Sequence, residues 1–82
     1  MLTVRYFAAA RAAAGVPEEK LPPESAPTLG ALRAELARVH GERMANLMPA
    51  VSFLVDGVSC RGDEVALPDD ATVDVLPPFA GG

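Results

Sequence analysis

MLTVRYF, residues 1–7, and TVDVL, residues 72–76, are the two stretches on which the fold turns. Each alternates side chains with period two, the pattern of a strand with one buried face. In the first, Leu2, Val4 and Tyr6 point one way and Thr3, Arg5 and Phe7 the other. In the second, Val73 and Val75 point inward while Thr72, Asp74 and Leu76 point outward. Moving inward along the chain, Ala8–Ala14 is an alanine-rich helix former with Arg11 inside it, stopped by Gly15 and Pro17. It is too short to stand alone and must lean on the sheet. Glu18–Leu21 reads as a second strand, ended by Pro22 and Pro23.

Thr28–His40 gives the clearest helical period. Leu29, Leu32, Leu36 and Val39 share a stripe, Arg33, Glu35 and Arg38 face water, Thr28 is the N-cap and Gly41 stands just past the end. Glu42–Pro49 is expected to be an irregular connection with Met44, Leu47 and Met48 packed inward. Val51–Val55, Asp56-Gly57 and Val58–Cys60 read as strand, hairpin turn and short strand. Val65–Leu67 is a brief apolar piece, and Pro68-Asp69-Asp70 a turn. One main helix across a mixed sheet built from both chain ends is an α+β layout. The strands of residues 1–7 and 72–76 are expected to be neighbours, with Thr28–His40 supplying the helix that a parallel crossover needs.

Composition narrows the function. The chain has 82 residues, half of them hydrophobic, and a net charge of −4. That is enough for one small domain with a genuine core. Residues 1–55 carry six basic and five acidic side chains, whereas 56–82 carry Arg61 against six acids. No basic surface is available for nucleic acid, and the acidic part suits a basic protein partner. A single cysteine excludes an internal disulfide and fits a reducing compartment. With no targeting segment and no long apolar run, a soluble cytoplasmic protein away from membranes is expected.

No interior active site is legible. There is one histidine, no Ser/His/Asp set, no Cys/His pair close in sequence and no phosphate-cradling glycine motif. His40 falls in the last turn of the main helix, where a cation meets the helix dipole favourably, and is read as a cap. Cys60 is read as a small hydrophobe in a strand. Asp69, Asp70 and Asp74 are read as a solvated turn rather than a cation site, so no metal is expected.

The tail is different. Pro77, Pro78, Phe79, Ala80, Gly81 and Gly82 follow the last strand, where glycines add no packing and are costly to order. Residues 1–76 therefore read as the folded domain and 77–82 as a flexible tail. Without Cβ atoms, Gly81 and Gly82 can thread a slot that excludes any larger residue. The prolines hold the segment extended, and Phe79 is an apolar foot. Six residues span roughly 20 Å, enough to reach a site buried in a partner. The Gly82 carboxylate is a poor electrophile until joined to AMP, after which a sulfur nucleophile can displace AMP and leave a thiocarboxylate. Phe7 and Leu76 fall on the face opposite the helix, with Cys60 expected to join them. An uncovered apolar patch at the root of the tail predicts a partner-docking face, bordered by the acids from Asp63 to Asp74.

VRYFAAARAAAG, residues 4–15, and DVLPPFAGG, residues 74–82, resemble the small, sulfur-carrier subunit of molybdopterin synthase, within the ubiquitin-like β-grasp sulfur-carrier superfamily. The resemblance covers the whole chain in element order and length. Its specific parts are the terminal Pro-Pro-Phe-Ala-Gly-Gly block and the stretch from Phe7 to Gly15, while residues 16–50 are unspecific. It implies a β-grasp fold. It further implies that Gly82 is adenylated by an E1-like enzyme that consumes ATP, takes sulfur from a donor, and enters the large subunit of the synthase in a heterotetramer. There the sulfur passes to cyclic pyranopterin monophosphate to build the molybdopterin dithiolene, with the catalytic side chains on the large subunit and no cofactor bound by the small one. Sister carriers for thiamine thiazole or cysteine synthesis share the fold and the Gly-Gly end. A protein modifier uses the same activation with an amine as acceptor.

Overall fold

The computed structural model describes residues 1–78. The chain order is β1 (Leu2–Tyr6), α1 (Ala8–Ala14), β2 (Glu18–Leu21), α2 (Leu29–His40), α3 (Glu42–Leu47), β3 (Ser52–Val55), β4 (Val58–Cys60) and β5 (Thr72–Leu76), with single 3-10 turns at Pro23–Ser25 and Met48–Ala50. The five strands form one mixed sheet in the order β2-β1-β5-β3-β4. β1 and β5 lie parallel at its centre, Val4 beside Val73 and Tyr6 beside Val75. The remaining pairs are antiparallel. This is the α+β, β-grasp arrangement that the alternation of the two end segments and the resemblance imply.

The inward set buries as expected. Leu2, Val4, Phe53, Val73 and Val75 meet Leu29, Leu32 and Leu36 of α2 in one core, with Ala10, Met44 and Met48 from the flanking elements. The hairpin turn at Asp56 and Gly57 has φ of 50° and 85°, the two left-handed residues that a two-residue loop requires, and Asp56 Oδ1 accepts from the Thr72 amide. Thr28 caps α2 by accepting from Ala31 N at 3.2 Å.

Three expectations are corrected. Glu42–Pro49 is not irregular: residues 42–47 form a helix whose length is too short to show a period, and Met44 and Met48, four residues apart, turn one face inward. Val39 is 46% exposed rather than part of the buried stripe. His40 takes that place instead, because it lies about 40° from Leu36 around the helix while Val39 lies about 60° the other way. Arg33 does not face water. Its side chain lies over the Phe53 ring, 4.8 Å from the centroid, and donates to the carbonyl of Met48 and, at 3.0 Å, to Asp63 Oδ1.

Those contacts close the start of α2. Leu29 N donates to Val65 O and Gly30 N to Asp63 O, both at 3.0 Å, while Leu67 N donates to Pro27 O at 2.9 Å. The 63–67 segment is therefore strapped across the helix N-terminus, satisfying amides that a helix leaves orphaned. A Cβ on Gly30 would meet Asp63 Cβ at 2.9 Å and its carbonyl at 3.1 Å.

A polar seam crosses the other end of α2. The Tyr6 hydroxyl donates to Glu19 Oε1, and His40 Nε2 lies 2.6 Å from the same oxygen and 3.2 Å from the hydroxyl. β1, β2 and α2 are thus tied at one point. Burial, followed by the hydrogen bond to Glu19 and its charge, pushes the Tyr6 phenol well above its ordinary value.

Two predictions follow from these contacts. Gly30→Ala should cost about 1–2 kcal/mol, since overpacking against backbone costs about 1–3 kcal/mol and outweighs the gain in helix propensity of up to about 1 kcal/mol. A melt no lower than wild type would show that the 63–67 strap yields freely. Because the fold favours neutral Tyr6, its contribution is complete below the ordinary phenol value of about 10 and is lost as pH rises beyond it. Urea unfolding from pH 8 to 11 should therefore fall more steeply for wild type than for Tyr6→Phe, and equal slopes would contradict the assignment.

Candidate functional site

β5 delivers the chain end to the middle of the sheet. Its ladder to β3 stops at the pair Ser52–Leu76, because Pro77 and Pro78 have no amide hydrogen with which to extend it. Pro77 is buried and Pro78 is exposed, so the chain leaves the body between them. Phe79, Ala80, Gly81 and Gly82, the remaining tail positions singled out by the sequence, lie outside the described residues.

Beside this exit lies the sheet face turned away from the helices. Tyr6 pairs with Val75, and the next residues, Phe7 and Leu76, continue that register at the top of the face. Phe7 is 40% exposed and Leu76 half-buried. Directly after Phe7 the backbone takes a positive φ of 49° at Ala8, a strained conformation for a residue with a Cβ. The chain turns there into α1 and leaves Phe7 behind on the open face. Leu54, opposite Asp74, adds a half-buried apolar side chain to the same surface. The alternation Val51, Phe53, Val55 inward and Ser52, Leu54 outward carried that signal in the sequence.

The centre of the face is ionic rather than apolar. Arg5 grips Asp74 with a two-pronged contact, Nε to Oδ1 at 2.6 Å and Nη2 to Oδ2 at 2.9 Å, and its guanidinium stands 5.9 Å from the Phe7 ring centroid. Asp74, expected to face water, keeps only 7% of its surface exposed because Arg5 lies over it. The Arg5 guanidinium is held above its ordinary value, first by the hydrogen bond and then by the charge of Asp74.

Two expected members of this surface lie elsewhere. Cys60 pairs with Phe53, and opposed residues of an antiparallel ladder share a face, so its side chain packs at the margin of the core on the helix side. Of the acids from Asp63 to Asp74, Asp74 lies on the face itself, held by Arg5, while two others are placed away from it. Asp63 is committed to Arg33 at the start of α2, and Asp70 meets the amino group of Met1 at the far end of β1. His40 stands in the last turn of α2, as read, and also joins the Tyr6–Glu19 seam, a cluster hidden by the distance in sequence from Glu19 to His40. Among the described residues there is no cavity and no group of three potential metal ligands. None of their helices is long and apolar enough to cross a membrane. Among the described residues the arrangement offers an open sheet surface and a chain leaving the body at Pro78.

Comparison with known proteins agrees with this geometry. No curated protein matches the sequence. Among solved structures, a protein described as molybdopterin converting factor subunit 1 of Pyrococcus furiosus is 31% identical, with 95% of this chain and 97% of that one covered and a TM-score of 0.68. The small archaeal modifier protein 1 of Methanosarcina acetivorans is 25% identical over 99% of this chain and 95% of that one, TM-score 0.74. At 21% identity, with 99% and 97% covered and a TM-score of 0.70, a complex of subunits 1 and 2 of the Helicobacter pylori molybdopterin-converting factor shares the fold. The ThiS family model matches residues 4–82, and the chain belongs to the ThiS family of ubiquitin-like sulfur carriers.

Proposed function

We propose that the protein is the sulfur-carrier subunit of a molybdopterin synthase, with the Gly82 carboxylate as its working group. The observation that carries this reading is the exit from the central strand. A buried Pro77 and an exposed Pro78 stand directly before Phe79-Ala80-Gly81-Gly82, next to the uncovered Phe7–Leu76 surface. An E1-like partner joins the carboxylate to AMP with loss of pyrophosphate from ATP. A sulfur nucleophile then attacks the acyl carbon, AMP leaves, and a thiocarboxylate remains. Residues 77–82 form the arm that enters a larger subunit, where cyclic pyranopterin monophosphate takes the sulfur and the carboxylate is regenerated. The catalytic side chains belong to that subunit, assembly is as a heterotetramer, and the reaction is cytoplasmic. The descriptions of the Pyrococcus and Helicobacter relatives support this pathway over thiazole or cysteine synthesis. The Methanosarcina relative, named as a modifier, favours a second reading in which an amine of another protein takes the place of sulfur.

Phe7 and Leu76 are the docking residues of this reading for both the adenylating enzyme and the large subunit. Cys60, facing the core, has no part in that face. Intact mass after incubation with ATP, a sulfur source and the adenylating enzyme should show one oxygen replaced by sulfur, and adding the large subunit with the pterin precursor should reverse it. Gly82→Ala, or one residue added after Gly82, should leave the melt unchanged and suppress the exchange. An extended chain that accepts sulfur at the wild-type rate without trimming would overturn the reading. Phe7→Ala and Leu76→Ala should each weaken binding to either partner by about 1 kcal/mol or more, as anchors near an interface centre do. Cys60→Ala should not, and titration calorimetry with both partners separates these outcomes.

A further inference from the structure

Acylation chemistry has another side in this chain, because an activated carboxyl reacts with amines as well as with sulfur. Of the seven Lys and Arg residues six are arginines, and Lys20 is the single lysine. The guanidinium of arginine stays protonated and does not attack acyl groups, whereas a lysine amine can. One side chain among 82 residues therefore offers a nitrogen nucleophile of this kind. We propose that Lys20 is an acyl-acceptor site, joined through an isopeptide bond to the Gly82 carboxyl of another copy. This rests on the reading that Gly82 is activated as an adenylate.

The setting of Lys20 suits an acceptor. It is exposed on β2, which is an edge strand, so its outer flank is open to an incoming chain. Its Nζ donates to Thr3 Oγ1 at 2.6 Å. That partner is a neutral hydroxyl, and no carboxylate forms an ion pair with Lys20 among the described residues. Glu19, the adjacent residue, points to the other face and is committed to Tyr6 and His40. Glu18 shares the face of Lys20 but stands opposite Arg5. The reaction balances without an oxidant or reductant: the amine attacks the acyl carbon of the adenylate, AMP leaves with the electron pair of the broken bond, and the amine gives up its proton to solvent.

Position decides what such linkage builds. Lys20 pairs with Thr3, and Thr3 with Thr72, the first residue of β5, whereas the tail leaves after its last residue, Leu76. Lys20 and the root of the tail at Leu76 are thus separated by about 13 Å along the strands and two strand spacings, about 10 Å, across them. Each copy carries one donor and one acceptor, so linked copies add head to tail.

The test uses the full chain with the adenylating enzyme and ATP and no sulfur source. Wild type should give a ladder of covalent oligomers, each step one chain minus water. After trypsin, residues 62–82 should be found attached to the 12–33 peptide through Lys20. Lys20→Arg, which keeps the charge and can still donate to Thr3, should lose the ladder while forming thiocarboxylate normally once a sulfur source is supplied. A ladder that persists in Lys20→Arg, or that maps to an α-amino group, overturns the proposal. So does a wild type that forms adenylate, trapped by hydroxylamine, yet makes no ladder. Failure to form any adenylate overturns the proposal together with the activation on which it rests.

Discussion

The parallel pairing of β1 with β5 is the constraint from which the rest of the structure follows. Two parallel neighbours cannot be joined by a tight turn, so everything between Tyr6 and Thr72 has to travel from one end of the sheet back to the other. β2 runs back along β1 to the Leu2 end, α2 crosses the inner face and ends beside Tyr6, and β3 descends antiparallel to β5 on its other side. The last strand thereby sits in the middle of the sheet, paired with β1 on one side and β3 on the other. A strand at the edge of the sheet would have only one neighbour to hold it.

A small core with few aromatic residues needs other ties, and Arg33 and Tyr6 supply them at the two ends of α2. Arg33 stacks on Phe53 and gathers Met48 and Asp63 around the start of the helix. Tyr6 gathers Glu19 and His40 around its end. Both are polar groups whose partners come from distant parts of the sequence, and both are satisfied: no buried side-chain nitrogen or oxygen among the described residues is left without a partner. Since an unpaired buried polar group costs about 1–3 kcal/mol, each cluster holds its helix end in a single position.

Much of this was legible from local pattern. The two alternating end strands, the Thr28-capped helix, the Asp-Gly hairpin and the alanine-rich first helix are all set by neighbours in sequence, and each stands where its pattern places it. What escaped was non-local. Residues 42–47 are too few to show a helical period. Arg33 and His40 lie at the edges of an apolar stripe, where partners far away in sequence decide whether a polar head turns in or out. Cys60 shows the weakness of assigning a face without a register, because only its pairing with Phe53 tells which side of the sheet it occupies. The fold was therefore readable almost throughout. The open face was readable at Phe7 and Leu76, but neither the Arg5–Asp74 pair at its centre nor the position of the acids was.

The central strand pair also governs how the molecule bears load. β1 enters the sheet at the edge where Thr3 meets Thr72, and β5 leaves it at the opposite edge, past Tyr6 and Val75. Tension between the two ends of the chain therefore draws the parallel strands past one another and strains the bonds of their ladder together rather than in sequence. A clasp loaded in shear resists more than one peeled open from its end, so a pull at the end of β5 is borne by the whole β1–β5 ladder at once.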